Sequence, residues 1–559
     1  MRAKERPSVD VTRPAVDKLP DEIIAEVFLA LVDSYDEQIR ATTTQKNAGD
    51  AYPWLVVTHV CARWRAIALD FPFMWCQILA SGNSKRLERL TTFLKRSKNS
   101  PITIACSGNR PKLDALDLLA RETHRWKEVA GLKVDNMFVE ALRGAPLSLP
   151  LAERVSISFR DEVLDLGLSR ESNPVLDPDL PSLKLLVCTS FPWPVARTWI
   201  KPSLLGLKVF GKGNSAAPRP AVAEWVEVLR SLPQLELLIL DHAIARSDMA
   251  DDDYMVEDLE STVELPRLKF LELNAGDTRS LNACAWLARH IQSPWRTRVN
   301  IELACRTPLP PDVYLVFFMC LSYRMAHVVH SALGDGRLCD VHIGWCNDQF
   351  FLNAVSKDED TGAADVVLHT AVPSEDTDAP AWRHSAEQLF TDLAGGCDLF
   401  YALRLVVHNL GTDPAPWRAF DARHPAEALT LWTEALPAFV SAMEGALRAR
   451  KTFMPRLAAL TVNRFPPSAR LPIPRPGVRV GRKTRPVLQR LADVLYAREQ
   501  AGFPETDVDL HGGEGDCASL QTDEEIMARL RKQTGVLCEH REPGMVMRFG
   551  LNMQRGLFD

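Results

Sequence analysis

The feature that most constrains what this chain can fold into is a short phrase that recurs along it, Leu/Met-Pro-x-Leu followed by an apolar strand. The clear copies are LPSLKLLVC from Leu180, LPQLELLIL from Leu232, LPRLKFLEL from Leu265 and MPRLAALTV from Met454. Weaker relatives are RVSISF from Arg154, LLGLKVF from Leu204, RVNIELA from Arg298 and LRLVVHNL from Leu403. Copies of one strand at irregular spacing predict a stacked, irregular solenoid in which each unit adds a strand to a shared sheet and buries its apolar face on its neighbours.

Between the strands lie segments with apolar residues at helical spacing: Ala221–Leu232, Asn282–Ile291, Asp312–Ala326, His384–Leu393 and Glu427–Leu447. Val487–Ala501 repeats the pattern and stops at Gly502, as a helix with a glycine cap does. Thr522 with Glu525 forms a capping box. Strand and helix therefore alternate, giving an α/β fold that resembles a leucine-rich repeat; the strict LxxLxLxxN consensus is missing, so the repeat is degenerate. Phe350–Val372 reads as a local departure into paired strands, and Lys357–Asp378 as an exposed insertion.

The N-terminal part has a different grammar. Leu19–Leu31 predicts one helix, opened by Pro20 and the acids Asp21 and Glu22, with Ile23, Ile24, Val27, Phe28 and Leu31 on one broad apolar face. Residues 33–50 are polar and read as an inserted loop. Helical character resumes from Trp54 to Ala68, where Val60, Trp64, Ile67 and Ala68 share a face. Phe71-Pro72 ends it, with Phe73, Met74 and Trp75 beyond. A module of this size with so many large apolar side chains is too small to cover them all. It is expected to dock against a partner or against the rest of the chain.

The strings LPDEIIAEVF and VTHVCARWRAIALDFPFMW resemble the F-box motif, in the F-box-like form abundant in mushroom-forming fungi: Leu-Pro-x-Glu-Ile, Val-Cys-x-x-Trp-Arg and the final aromatic Trp75. The Arg125-Trp126 pair resembles the same families, and the polar insert departs from the compact motif. The resemblance implies docking onto the Skp adaptor of a cullin-RING ubiquitin ligase. Leu19, Pro20, Ile23, Ile24 and Phe28 would form a first contact strip and Val60, Cys61 and Trp64 a second, some of them holding the module together instead. An F-box followed by irregular leucine-rich repeats also implies that the sheet faces a protein target. The expected organisation is an N-terminal segment 1–16, an F-box-like module 17–80 with its insert at 33–50, and an α/β repeat domain 81–559.

Charge and motifs narrow the remaining classes. A net charge of -6 gives no general attraction for nucleic acid or an anionic membrane surface, and no segment reads as a signal peptide or membrane span, which predicts a cytoplasmic or nuclear protein. Twelve cysteines without a CxxC pair suggest neither a disulfide framework nor a zinc ribbon. Cys339, His342 and Cys346 read more simply as positions on one strand than as metal ligands. Asp248–Glu260 lacks the spacing of a calcium loop and reads as a solvated loop. Residues 466–486 read as a loop between repeats, with a nuclear import signal or nucleic-acid tether as the other reading. With no nucleophile elbow, phosphate loop or metalloprotease motif, the expectation is a non-catalytic protein without cofactor. It would be a ligase substrate receptor or, alternatively, a repeat scaffold with a vestigial F-box-like cap, with a nuclear interaction role as a variant.

Overall fold

A computed structural model describes residues 15–42 and 52–303 with gaps, the strand segments 338–346, 349–357, 364–373 and 404–407, residue 417, and 427–465 and 487–512 with short gaps. The expected helices Asp312–Ala326 and His384–Leu393, the Thr522/Glu525 capping box, the acidic segment Asp248–Glu260 and residues 466–486 lie outside the described residues. The protein is mixed α/β with a largely parallel sheet, and among the described residues no helix is long and apolar enough to cross a membrane. Two compact units divide at Leu204/Leu205.

The first unit opens with helices α1 (Asp21–Thr42) and α2 (Ala62–Asp70) and continues with five strands, β1 (Gln77–Ala80), β2 (Ile102–Cys106), β3 (Trp126–Val134), β4 (Arg154–Phe159) and β5 (Leu185–Thr189). Each strand pairs in parallel with the next. Helix α3 (Lys85–Arg96) bridges β1 and β2, and α4 (Leu113–Ala120) bridges β2 and β3. The buried Arg125 stitches the end of α3 to the start of β3. Its guanidinium donates to the carbonyls of Leu94, Lys98 and Ser100 and to Ser97 Oγ, and its Nε pairs with Glu122 at 2.8 Å. The Leu94 carbonyl in the last turn of α3 and two carbonyls of the segment that follows it are thereby satisfied by one fork of donors.

In the second unit β6 (Gly206–Phe210), β7 (Leu237–Asp241), β9 (Phe270–Ala275) and β11 (Arg298–Leu303) run parallel, with a side ribbon of β8 (Val263–Glu264) and β10 (Ile291–Gln292). Helix α5 (Val222–Arg230) precedes β7 and α6 (Thr278–His290) precedes β11. Next come β12 (Leu338–Cys346), β13 (Gln349–Lys357) and β14 (Ala364–Pro373), with β13 antiparallel to both neighbours. Strands β15 (Arg404–Val407), β16 (Ala428–Trp432), β17 (Ala459–Phe465) and β18 (Asp507–Gly512) return to parallel pairing.

All four clear Leu/Met-Pro-x-Leu copies build the same turn. The fourth residue's N–H donates to the first residue's carbonyl: Leu183 to Leu180 at 3.3 Å, Leu235 to Leu232, Leu268 to Leu265 and Leu457 to Met454 at 3.1 Å. Proline at the second place presets the backbone for this turn, and the outer two apolar side chains, no more than 1 % exposed, point inward. The next two N–H groups both donate to one carbonyl of the preceding unit: Glu153 receives Lys184 and Leu185, Leu205 receives Glu236 and Leu237, Glu236 receives Lys269 and Phe270, and Glu427 receives Ala458 and Ala459. The strands then alternate, and register aligns their buried residues in rows: Leu207, Leu238, Leu271 and Val299 in one, Val209, Leu240, Leu273 and Ile301 in the next. Leu405, Leu429, Leu460 and Val508 form a third such row. Eight such strands predicted from the sequence stand where expected, as does the glycine cap. Gly502 has φ +84°, and the N–H of Phe503 reaches back to the carbonyl of Arg498.

Four expectations are corrected. The insert expected at 33–50 is helical as far as Thr42, because Glu37, Gln38 and Arg40 favour helix and no glycine or proline intervenes. The stretch from Trp54 to Ala68 divides into a 3-10 turn, Pro53–His59, and α2, because Val56, Val57, Thr58 and Val60 are β-branched and disfavour an α-helix. Glu427–Leu447 divides into β16 and a helix, α7 (Leu436–Arg448), that starts beside Pro437. Lys357–Asp378 contains β14, so the paired-strand reading holds there and the exposed-insertion reading does not.

Candidate functional site: an exposed apolar face on the N-terminal module

The predicted single apolar face of α1 splits in two once the helix is packed. Ile24, Ala25, Phe28 and Val32 are buried, whereas Ile23 and Val27, each one residue earlier, are 48 % and 56 % exposed. The inward set meets large aromatic partners: the Phe28 ring stands edge-on to Trp64 at 5.2 Å, and Trp54, Met74 and Trp75 are fully or almost fully buried nearby in sequence. Trp75 also donates from its indole N–H to the carbonyl of Ala68 at 2.9 Å, tying the turn after α2 back onto the helix. This interior leaves a second set of apolar side chains outside it.

That outer set comprises Val16, Leu19, Ile23, Val27, Val56, Val60, Leu69 and Phe73. Leu19, Ile23 and Val27 recur every four residues, the spacing of one row along a helix. Val56 and Val60, at 61 % and 57 %, are the most exposed large apolar residues described. Only two residues of this kind, Leu151 and Tyr496, occur elsewhere among the described residues.

Of the residues expected to touch a partner, Leu19, Pro20, Ile23, Val60 and Cys61 are exposed, Ile24 and Phe28 are interior, and Trp64 is half-buried against Phe28. Cys61 caps α2, its sulfur accepting the Trp64 backbone N–H at 3.4 Å. Val27 and Val56 were not assigned to partner contact from the sequence, although the four-residue step from Ile23 points to Val27. Arg63, from the first turn of α2, reaches Asp21 Oδ1 with Nη2 at 2.6 Å and Nε at 3.0 Å, and also donates to the carbonyl of Leu19.

A polar row, unsignalled in the sequence, lies on the part-exposed face of the second unit. Asp241, Asn274 and Glu302 share one register across β7, β9 and β11, and Glu272 and Asn300 share the row two residues earlier. Asn274 donates to Glu272 at 2.9 Å and Asn300 to Glu302 at 3.0 Å. Burial pushes the carboxyls of Asp241 and Glu272 above the usual range; His242 beside Asp241 and the amide of Asn274 act in the opposite sense.

Among the described residues no group of three or more His, Cys, Asp or Glu could hold a metal ion. Cys339, His342 and Cys346 lie along the one strand β12. Burial raises the thiol of Cys76 to about 11 and that of Cys106 to about 12, and drives Cys188 and Cys284 further up. A nucleophilic thiolate needs the opposite shift. No protein-family model matches the chain, and no curated protein matches it.

Proposed function

We propose that the protein is the substrate-recognition subunit of a Skp-cullin-F-box type ubiquitin ligase. In this reading it is non-catalytic and cytoplasmic or nuclear. The F-box-like module docks on the Skp adaptor through Leu19, Pro20, Ile23, Val60 and Cys61, extended by Val27 and Val56. The degenerate leucine-rich repeats of the α/β region hold the protein target. One observation carries the reading: of the ten large apolar residues left exposed among the described residues, eight fall between Val16 and Phe73, in and beside the segment whose sequence resembles the F-box. An apolar face of that kind marks a protein interface, where a few central side chains supply most of the affinity.

Co-purification of the intact protein with a Skp-type adaptor tests it. The adaptor is recovered with the wild type and lost from Ile23→Asp/Val60→Asp, a pair of exposed positions whose change leaves the melting temperature near that of the wild type. Failure to recover the adaptor, or equal recovery with the variant, overturns the proposal. The burial of Ile24 and Phe28 favours the second reading in that event: a repeat scaffold in which the F-box-like segment serves only as a cap.

A further inference from the structure

Adaptor docking through two separate strips requires that they be held at a fixed separation; inside the module the Phe28–Trp64 ring contact joins them, and at the exposed end one polar side chain does. Arg63 lies three residues after Val60 and 42 residues from Asp21 in sequence. Its guanidinium fork closes on Asp21 Oδ1 through two nitrogens and on the main-chain carbonyl of Leu19, the first residue of the other strip. Leu19 itself stands before α1 and is exposed; its N–H donates to the carbonyl of Val16 at 3.2 Å, and its own carbonyl, outside the α1 ladder, is held from α2 by Arg63. We propose that Arg63 is the positioning residue of the adaptor face: it pins Leu19 and the first turn of α1 to the helix that follows Val60 and Cys61. This inference rests on the adaptor reading above.

The ion pair alone is a weak reason, since the Asp21 carboxylate is 63 % exposed and pairs of that kind contribute little. The grip on a backbone carbonyl is different, because it fixes a segment that would otherwise fray and have to be ordered on binding. Arginine suits this position because its planar fork serves a carboxylate and a carbonyl together, and the single ammonium of lysine does not reproduce it.

The roles separate in the full-length protein titrated with purified Skp-type adaptor. Arg63→Ala weakens binding about five- to ten-fold, chiefly in the dissociation rate. Asp21→Asn, which leaves the Leu19 grip intact, weakens it by less than about three-fold, and Arg63→Lys falls between the two. Amide exchange at Leu19 to Ile24 quickens in Arg63→Ala while the repeat strands keep wild-type protection. Adaptor affinity of Arg63→Ala within about two-fold of the wild type, or unchanged exchange at Leu19 to Ile24, overturns the proposal. Wild-type protein that fails to bind the adaptor overturns the adaptor reading instead, and the grip on Leu19 is then judged by exchange alone.

Discussion

The N-terminal module and the strand-bearing region use the same apolar residue types in opposite ways. In the strand region the leucines of every clear Leu/Met-Pro-x-Leu turn are at most 1 % exposed, and those of the strands line up in continuous buried rows. In the module, side chains of the same chemistry are sorted: Ile24 and Phe28 go in, while Ile23, Val27, Val56 and Val60 stay out. A periodic pattern therefore identifies an apolar face without saying whether the chain itself covers it. That is decided by how many neighbours the fold brings to it, and a short module brings few.

The contrast can be tested by truncation at matched positions. Phe28→Ala removes an aromatic ring from the module interior and is expected to destabilise by about 3–5 kcal/mol in chemical denaturation. Leu268→Ala, in a Leu-Pro-x-Leu turn, is expected to cost about 2–4 kcal/mol, leaving a cavity in the buried core. If this turn variant is close to neutral, the buried leucines are not what holds the strands.

A smaller effect is expected at Glu444 on α7. Arg490, from the helix α8 (Val487–Gln500), forks onto its two oxygens at 2.9 and 3.0 Å, and these hydrogen bonds hold its carboxyl below the usual range. Because the folded value is depressed, the group adds stability that is present at neutral pH and is lost as pH falls through the folded value. Glu444→Gln should therefore flatten the decline in melting temperature below about pH 4.5 and leave its alkaline side unchanged. The smallest effect is expected at Val27→Ser on the exposed face, where stability should change by no more than about 0.5 kcal/mol. A loss of several kcal/mol there would mean that the face is covered within the chain.

The strand region was legible in the sequence because its signal is local. A turn of four residues, a proline in second place and alternating leucines lie within nine consecutive positions of LPQLELLIL. Strands β1, β2, β3, β16 and β18 carry no such turn phrase and were not anticipated. In ALTLW, at β16, the leucines directly precede a helix, so the two periods blur until Pro437 separates them. Within the candidate site, the outward-facing Ile23 and Val60 were named from the resemblance. The inward turn of Phe28 depends on Trp64, more than thirty residues away across a polar stretch, and no local pattern encodes that meeting.

The paired donation to one carbonyl bears on how such a chain can vary. Each of these four turns takes a single acceptor from just before the preceding strand of the sheet, whatever the length of chain between. Adjacent parallel strands here are joined by 22 residues at 276–297 and by 41 at 466–506. Doubling an unpacked loop costs only about 0.6 kcal/mol in closure entropy, whereas the helices within these connections bury residues such as Leu281, Leu287 and Leu491, whose loss costs more. Lengthening is therefore least costly in the loops on either side of a connecting helix, and costly within the helix itself. Differences between related copies should accumulate in those loops and spare the Leu/Met-Pro-x-Leu turns.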